Sequence, residues 1–539
     1  SLSQTCYFGN LQKDFHSLLV VNYCSSLSPH DQWFFHNKNE MVHGLVKAPT
    51  LDITNKDLIE SHLHAIWLSV MRLDLDKSII ELLNMHDESF PFNDEIIERI
   101  NDVYFQEEAI KEARSFSEQV YSHVENEAPF FTESYVDEII RNSAKAFNKA
   151  FDRWRVLYNS TKDQMQKAHT ITMSPAYNQT EKNNAEKRYN DAKQQLKILE
   201  SKRNHFNSDF YTYRYLASQG FLPGYNFPRL PLMAWIPATK GRLKSAEENA
   251  TMVSRHRFLG ISEFGPRSLI YHNGRTFRVN KAKLNPLQGN QISVDARLST
   301  SSAIVCSECG YGHLSKDGES DVLKVRCENC NAELASDARV DNLYKIETVE
   351  TELAERISSN EEERQRQGYE LQTMYRFLPD SDGNLVSSKA EIVFEDKTIA
   401  EILYAPSALL WRINRGWKRR KQQSVLGFFI NPISGYWSKN DTDEVEDETL
   451  TEVSKIEKQL IVPFVEDNRN ILIISPKKSL GKEAMATLQA ALKRSIEQLF
   501  QIEEAELAVE PLPLEQDRKH ILFYEAAEGG AGVLTRLVN

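Results

Sequence analysis

Hydrophobic patterning divides the chain into three textures. The first, residues 1–85, mixes short apolar runs with helical spacing. Phe15-His-Ser-Leu-Leu-Val-Val-Asn-Tyr-Cys24 has a strand-like apolar centre, followed by Ser25-Ser-Leu-Ser-Pro-His-Asp-Gln-Trp-Phe-Phe35. Between Asn55 and Leu68, the residues Leu58, His62, Ala65 and Ile66 recur at helical spacing, with Thr54 or Asn55 placed to cap the first turn. His62 and His64 stand two apart, on different faces of such a helix, which favours packing roles over a shared metal.

Helical periodicity dominates the second texture, residues 90–215. One amphipathic helix is expected from Tyr135 to Tyr158. Farther on, Ala185, Tyr189, Ala192, Leu196, Leu199 and Phe206 form a heptad seam with Lys, Gln and Glu outside it. The seam is short, so it predicts an antiparallel arm within the protein rather than a dimeric coiled coil, with Thr170–Asn178 as the tip.

The third texture opens at Gly220-Phe-Leu-Pro-Gly-Tyr-Asn-Phe-Pro-Arg-Leu-Pro231, where prolines and glycines end the helix and begin extended chain. Ser268–His272 and Arg275–Val279 flank Asn273-Gly274, the strongest short signal for a β-hairpin. Residues 220–300 are therefore expected to form a small β-barrel-like module. Arg255, Arg257, Arg267, Arg275 and Arg278 make it locally basic, which suits either a phosphate-facing surface or a solvated strand face. Strands broken by an acidic stretch at Glu361-Glu-Glu-Arg364 follow between Val340 and Phe394.

Ala408–Lys421 then reads as a strand running into the cluster Arg415, Trp417, Lys418, Arg419, Arg420 and Lys421, where an aromatic beside cations suits backbone contact and base stacking, with a plain exposed basic turn as the equal alternative. An acidic loop is expected over Asn440–Glu452. The last segment alternates: strand Asn470–Ser475, helix Gly481–Phe500, strands Glu504–Leu514 and His520–Tyr524, then a glycine turn, Gly529-Gly-Ala-Gly532, opening a helix. Such a turn can cradle phosphate, but Glu525 and Glu528 would repel an anion, so close packing is the expected role.

The most specific chemistry lies in four cysteines. Cys306-Ser-Glu-Cys309 and Cys327-Glu-Asn-Cys330 are two CxxC pairs whose spacing suits a zinc ribbon over residues 301–336. Gly310 and Gly312 follow the first pair, where a tight knuckle needs residues that tolerate positive φ. Four thiolates close the tetrahedron of a Zn²⁺ ion, so the metal is expected to be structural rather than catalytic.

Composition narrows the classes further. At 539 residues the chain exceeds one core, and roughly three to five domains are expected. A net charge of −12 means that any nucleic-acid contact depends on a local basic face. Only Cys6 and Cys24 lie outside the metal spacing, and no run of eighteen apolar residues occurs, which together suggest a reducing cytoplasm and no membrane span. Nucleotide chemistry lacks its motifs. Ser479-Leu-Gly-Lys482 resembles the end of a P-loop, yet Glu483 stands where Ser or Thr would hold Mg²⁺. No GxSxG or HExxH pattern occurs, so catalysis by this stretch alone is not expected.

Several segments, in this order, resemble one family. Ser25–Phe35, Met41-Val-His-Gly-Leu-Val-Lys-Ala-Pro-Thr-Leu-Asp52 and Asn55–Leu68 look like the region after the last motif of large bacterial DEAD/DEAH-type (superfamily 2) helicases. Gly220–Pro228 and Phe523-Tyr-Glu-Ala-Ala-Glu-Gly-Gly-Ala-Gly-Val-Leu534 are similar to the zinc-binding domain (MZB) behind the motor of MrfA-type helicases. Versions with a separate CxxC ribbon occur in anti-phage systems such as Druantia (DruE) and DISARM (DrmA with DrmB). The Walker A and DEAH motifs of that family do not occur here, nor does the cysteine cluster that usually follows its Gly-Gly turn.

The resemblance implies a multidomain α+β chain that forms the interior or C-terminal part of a longer helicase. Residues 1–85 would be the distal part of the second RecA-like domain and the region after it, an α/β remnant. Residues 86–219 would be the helical arm, 220–300 the β-barrel-like module, 301–336 the Cys₄ ribbon and 337–539 an MrfA-like α+β domain truncated at its C-terminus. It also implies DNA as partner, with ATP and Mg²⁺ acting through RecA-like motor domains outside this chain, and further defence-system subunits. The alternative is a non-catalytic scaffold subunit that partners a separate helicase or nuclease.

Overall fold

The fold is that of a computed structural model. It describes residues 21, 24–26, 28–43, 55–75, 78–124, 130–200, 210–224, 228–240, 247–248, 250–284, 298–315, 325–335, 338–354, 368–378, 387–432, 434–438, 458–526, 530 and 532–538. It is a mixed α/β structure: helices fill the first part, and two larger sheets fill the second.

In the helical part, Asn55 is the residue that caps Lys56–Met71, its side chain accepting from the Leu58 N–H at 3.2 Å. That helix turns Leu63, Trp67 and Met71 inward against Phe147, Phe151 and Trp154. Complete burial of such side chains contributes about 1.5–3 kcal/mol each. His64 belongs to this packing: it stacks on Phe221 with ring centroids 4.6 Å apart, and burial draws its pKa down to about 4. Burial also lowers the pKa of His62. Among the described residues, the elements before residue 86 are helices, Pro29–His36, Lys38–His43, Lys56–Met71 and Ile79–Leu82. The strand expected over Phe15–Cys24 lies mostly outside the described residues.

The helix expected over Tyr135–Tyr158 is two helices, Glu133–Ala150 and Asp152–Met173. Arg155 staples the break, donating to the Asn148 carbonyl (3.0 Å), to Asn148 Oδ1 (2.8 Å) and to the Phe90 carbonyl (2.9 Å). Asp152–Met173 and Gln179–Leu199 form the antiparallel arm. The tip is shorter than expected, Ser174–Asn178, because the outgoing helix continues through Thr170–Met173 and ends with the Ser174 N–H on the Thr170 carbonyl; a reciprocal capping box between Asn178 and Glu181 starts the return helix. Ala185, Ala192, Leu196 and Leu199 of the seam are buried, whereas Phe206 lies outside the described residues.

Among the described residues, seventeen strands follow: β1 Leu232–Ile236, β2 Thr239–Lys240, β3 Glu247–Glu248, β4 Thr251–Arg255, β5 Leu269–His272, β6 Arg275–Ala282, β7 Ser301–Val305, β8 Gly312–Ser315, β9 Arg339–Lys345, β10 Thr348–Leu353, β11 Tyr369–Phe377, β12 Ser388–Phe394, β13 Lys397–Trp417, β14 Phe428–Ile430, β15 Gln459–Pro476, β16 Leu507–Pro513 and β17 Arg518–Glu525. The β5–β6 hairpin turns on Asn273 and Gly274, both with positive φ (45° and 71°), as a type I′ turn requires. Its sheet has the order β4-β1-β10-β6-β5. Residues 220–300 therefore do not build this sheet alone. Its middle strand, β10, arrives after the cysteine excursion and pairs in parallel with β1.

The ten-stranded sheet runs β11-β13-β15-β9-β7-β8, with β12, β14, β16 and β17 paired off that path. Strands β13 and β15 are its long members. Their register shifts between Ala405 and Ala408, where Pro406 cannot donate to the ladder. The sheet curls until β16 reaches β11, where Gln372 Nε2 donates to the Pro513 carbonyl at 3.5 Å, and Arg412–Glu510 at 2.6 Å ties β13 to β16. Inside the curl lie Leu410, Ile471, Ile473, Leu512, Leu522 and Tyr524. Helix Lys482–Phe500 packs on β16 and β17 through Met485 and Ile496. The acidic segments at Glu361–Arg364 and Asn440–Glu452 fall outside the described residues. No helix among the described residues is long and apolar enough to cross a membrane.

Candidate metal centre and basic turn

The four cysteines converge. Cys306 and Cys330 bring their sulfurs to 3.6 Å, as do Cys309 and Cys327, and all four sulfurs lie within 4.8 Å of one another. A tetrahedron with Zn–S of about 2.3 Å has edges of about 3.8 Å, so the sulfur set fits Zn²⁺ closed on all four sides. Two similar knuckles aim them. Gly310 N–H donates to the Cys306 carbonyl (2.9 Å), and Asn331 N–H to the Cys327 carbonyl (3.0 Å). The residue after each second cysteine is left-handed, Gly310 at φ 77° and Asn331 at φ 59°. Asparagine tolerates that region better than most side chains, a signal the sequence carried at Asn331. Gly312, expected to serve the knuckle through positive φ, instead lies in β8, where an added Cβ would stand 2.7 Å from Met374 Sδ.

Electrostatics favour a cation at this point. Hydrogen bonding from Cys309 draws the Cys327 thiol down to about 3, while the same contact pushes Cys309 up; burial raises Cys330 to about 11. Four crowded sulfurs cannot all ionise without a positive charge among them. Cys306, Cys309 and Cys327 are buried and Cys330 is exposed. The knot is built into the curled sheet: Leu512 packs on Gly310, Lys519 reaches Glu308 (2.9 Å) and the Ser307 carbonyl (3.2 Å), and His520 Nε2 bonds the Glu308 carbonyl (3.0 Å).

The basic segment follows β13 directly, but its side chains part ways. Arg415 and Arg420 turn inward and share Glu370, at 3.0 Å and 2.6 Å. Trp417 stacks on Tyr369 (4.9 Å between centroids) and meets Phe428 edge-on (5.4 Å), so both neighbours hold its ring within the protein. Lys418, Arg419 and Lys421 are exposed, with Lys418 3.2 Å from Glu515. At the other basic position, Arg255 is exposed and pairs with Glu263 at 3.1 Å. Arg257 is buried, donating to the carbonyls of Glu466 and Arg229. Sequence reasoning missed Glu370 because its partners stand 45 and 50 positions away.

The glycine turn near the C-terminus has its own anion. Glu525 is buried and accepts from the N–H groups of Gly532 and Leu534, both at 3.0 Å, at the start of helix Val533–Val538. A carboxylate thus occupies the position a phosphate would take. The P-loop-like Gly481 is the N-cap of Lys482–Phe500 without a side-chain cap bond, and Glu483 lies in its first turn.

No family model matches the chain, and no curated protein matches it. Among solved structures the chain is similar to the crystal structure of a DUF1998 helicase, MrfA, bound to DNA. The likeness covers 57% of this chain and 27% of that one, at 8% sequence identity and a TM-score of 0.22. The functional reading therefore rests on this chain's own residues.

Proposed function

We propose that this chain is a DNA-engaging accessory region of an ATP-dependent helicase or translocase in bacterial anti-phage defence. The motor would be supplied by RecA-like domains in the same or a partner polypeptide, in the cytoplasm. In this reading the arm, the five-stranded sheet, the Cys₄ knot and the curled sheet frame a path along which DNA strands are guided or separated. Zinc, held by Cys306, Cys309, Cys327 and Cys330, fixes the frame and takes no part in chemistry.

One observation supports the DNA reading most. Lys418, Arg419 and Lys421 project from a turn whose base is anchored by the Glu370–Arg415–Arg420 cluster and the Trp417–Tyr369–Phe428 aromatics. Cations on a preorganised turn gain phosphate contacts with little ordering cost. Charge reversal of all three, K418E/R419E/K421E, leaves the buried arginines intact. By fluorescence anisotropy across a salt series, binding to single-stranded and duplex DNA should weaken. The slope of log K against log salt should fall by about 0.7–0.9 for each phosphate no longer neutralised. Equal affinity and slope in the variant would remove this turn from the interface.

A further inference from the structure

His313 is a buried histidine with no evident structural reason to be polar. It lies in β8, four residues beyond Cys309, and is 3% exposed. Neither ring nitrogen completes a regular hydrogen bond with another protein group, and a buried donor left unmade costs about 1–3 kcal/mol. Its surroundings are specific. The Tyr311 ring meets the imidazole at 5.2 Å between centroids. The Glu328 carboxylate approaches Nδ1 to 3.8 Å, too long for a hydrogen bond but close enough to orient the ring. The imidazole is also among the groups that lower the pKa of the Cys327 thiol. Glu328 is itself the residue after Cys327, so the three groups are tied together by the second knuckle.

We propose that His313 is a positioning residue of the Cys₄ metal centre, an outer-sphere donor to the Cys327 sulfur oriented by Glu328. The inference rests on the Cys₄ reading. Carboxylate–histidine pairs commonly orient and tune a metal's ligands from one shell out, and here the ligand served is a thiolate. A hydrogen bond to Cys327 would remove part of its negative charge and so reduce repulsion among four sulfurs held 3.6 to 4.8 Å apart. Tyr375 plays the matching part for the first knuckle. Its hydroxyl accepts from Asn329 Nδ2 at 2.9 Å, and burial and the neighbouring Cys309 raise its pKa, so a buried polar side chain stands beside each of these two knuckles.

The test uses the full chain in wild-type, H313F, H313Q and E328Q forms. Zinc is titrated against a chelator, and Co²⁺ substitution reports the thiolate-to-metal charge-transfer bands. H313F should weaken zinc about 10–100-fold and shift the charge-transfer energy, and H313Q, whose amide still donates, should recover part of both. E328Q should fall between wild type and H313F. A purely structural histidine would change unfolding but leave the cobalt bands in place, and wild-type affinity with unchanged bands in H313F overturns the proposal. Wild-type protein that takes up no zinc would instead overturn the Cys₄ reading on which it stands.

Discussion

The arm is fastened to the five-stranded sheet by charge as well as by apolar packing, and Glu350 is where that fastening is most exposed to test. Its carboxylate meets Lys281 at 3.0 Å, Lys283 at 3.9 Å and the Gln195 amide of the arm at 3.3 Å. Lys283 in turn donates to Gln195 Oε1 at 2.8 Å and to Thr161, both arm residues. Burial alone would raise the pKa of Glu350, yet Lys281 and Lys283 hold it down at about 2. From an ordinary value of 4.5, that depression corresponds to roughly 3 kcal/mol at about 1.36 kcal/mol per pKa unit. Removing one partner of a buried pair costs about 3–5 kcal/mol, so the two routes agree.

Glu350→Gln should therefore lower unfolding stability by about 3 kcal/mol, read by urea denaturation, and speed amide exchange in Gln179–Leu199 more than in Lys56–Met71. The pH dependence has a definite sign. A depressed carboxylate contributes stability above its unfolded pKa and loses it as pH falls through the folded value, so wild type should lose this increment between about pH 4.5 and pH 2 and the variant should not. Lys283 carries a net cost in its charged form: burial lowers its pKa to about 8, so stability rises again with pH from about pH 8 to pH 10.5. An E350Q protein with unchanged stability and unchanged arm protection would refute the idea that this network holds the arm.

Two further substitutions probe local geometry. Gly310→Ala forces a side chain into φ 77° and places a Cβ 2.9 Å from Leu512 Cδ2. It should cost about 1–3 kcal/mol and hasten zinc loss to a chelator, and equal chelator kinetics would contradict the knuckle geometry. Glu525→Ala removes the acceptor for two N–H groups of the final helix. The loss should be about 1.5–3 kcal/mol, seen as faster exchange at the Leu534 amide; retained protection there would count against the cap.

What was legible in the sequence was local. The CxxC pairs, the Asn273-Gly274 hairpin and the cap at Asn55 each depend on residues within a few positions of one another, so spacing alone carries them. The insertion of β10 between β1 and β6 was not legible, because strand pairing across a long excursion leaves no periodic trace. The basic cluster shows the same limit. Six polar or aromatic side chains from Arg415 to Lys421 look alike as a string. Only the fold distinguishes those turned to Glu370 and Tyr369 from those turned to water. Glu525 was read only as a charge that would repel phosphate; that it caps the helix itself required the turn in three dimensions.

The Cys₄ knot also sets an order of events. Its ligands lie within 24 positions of one another, whereas the groups that dock beside Cys306 and Cys309, Lys519 and His520, lie more than 200 positions downstream of them. On a ribosome adding residues from the N-terminal end, the metal-binding segment emerges long before β16 and β17 exist. The centre can load and close first, as a finished nucleus with a fixed surface, and the last strands of the curled sheet then have a template to fold against. Starving the cell of the metal during synthesis would therefore harm newly made chains more than chains already folded.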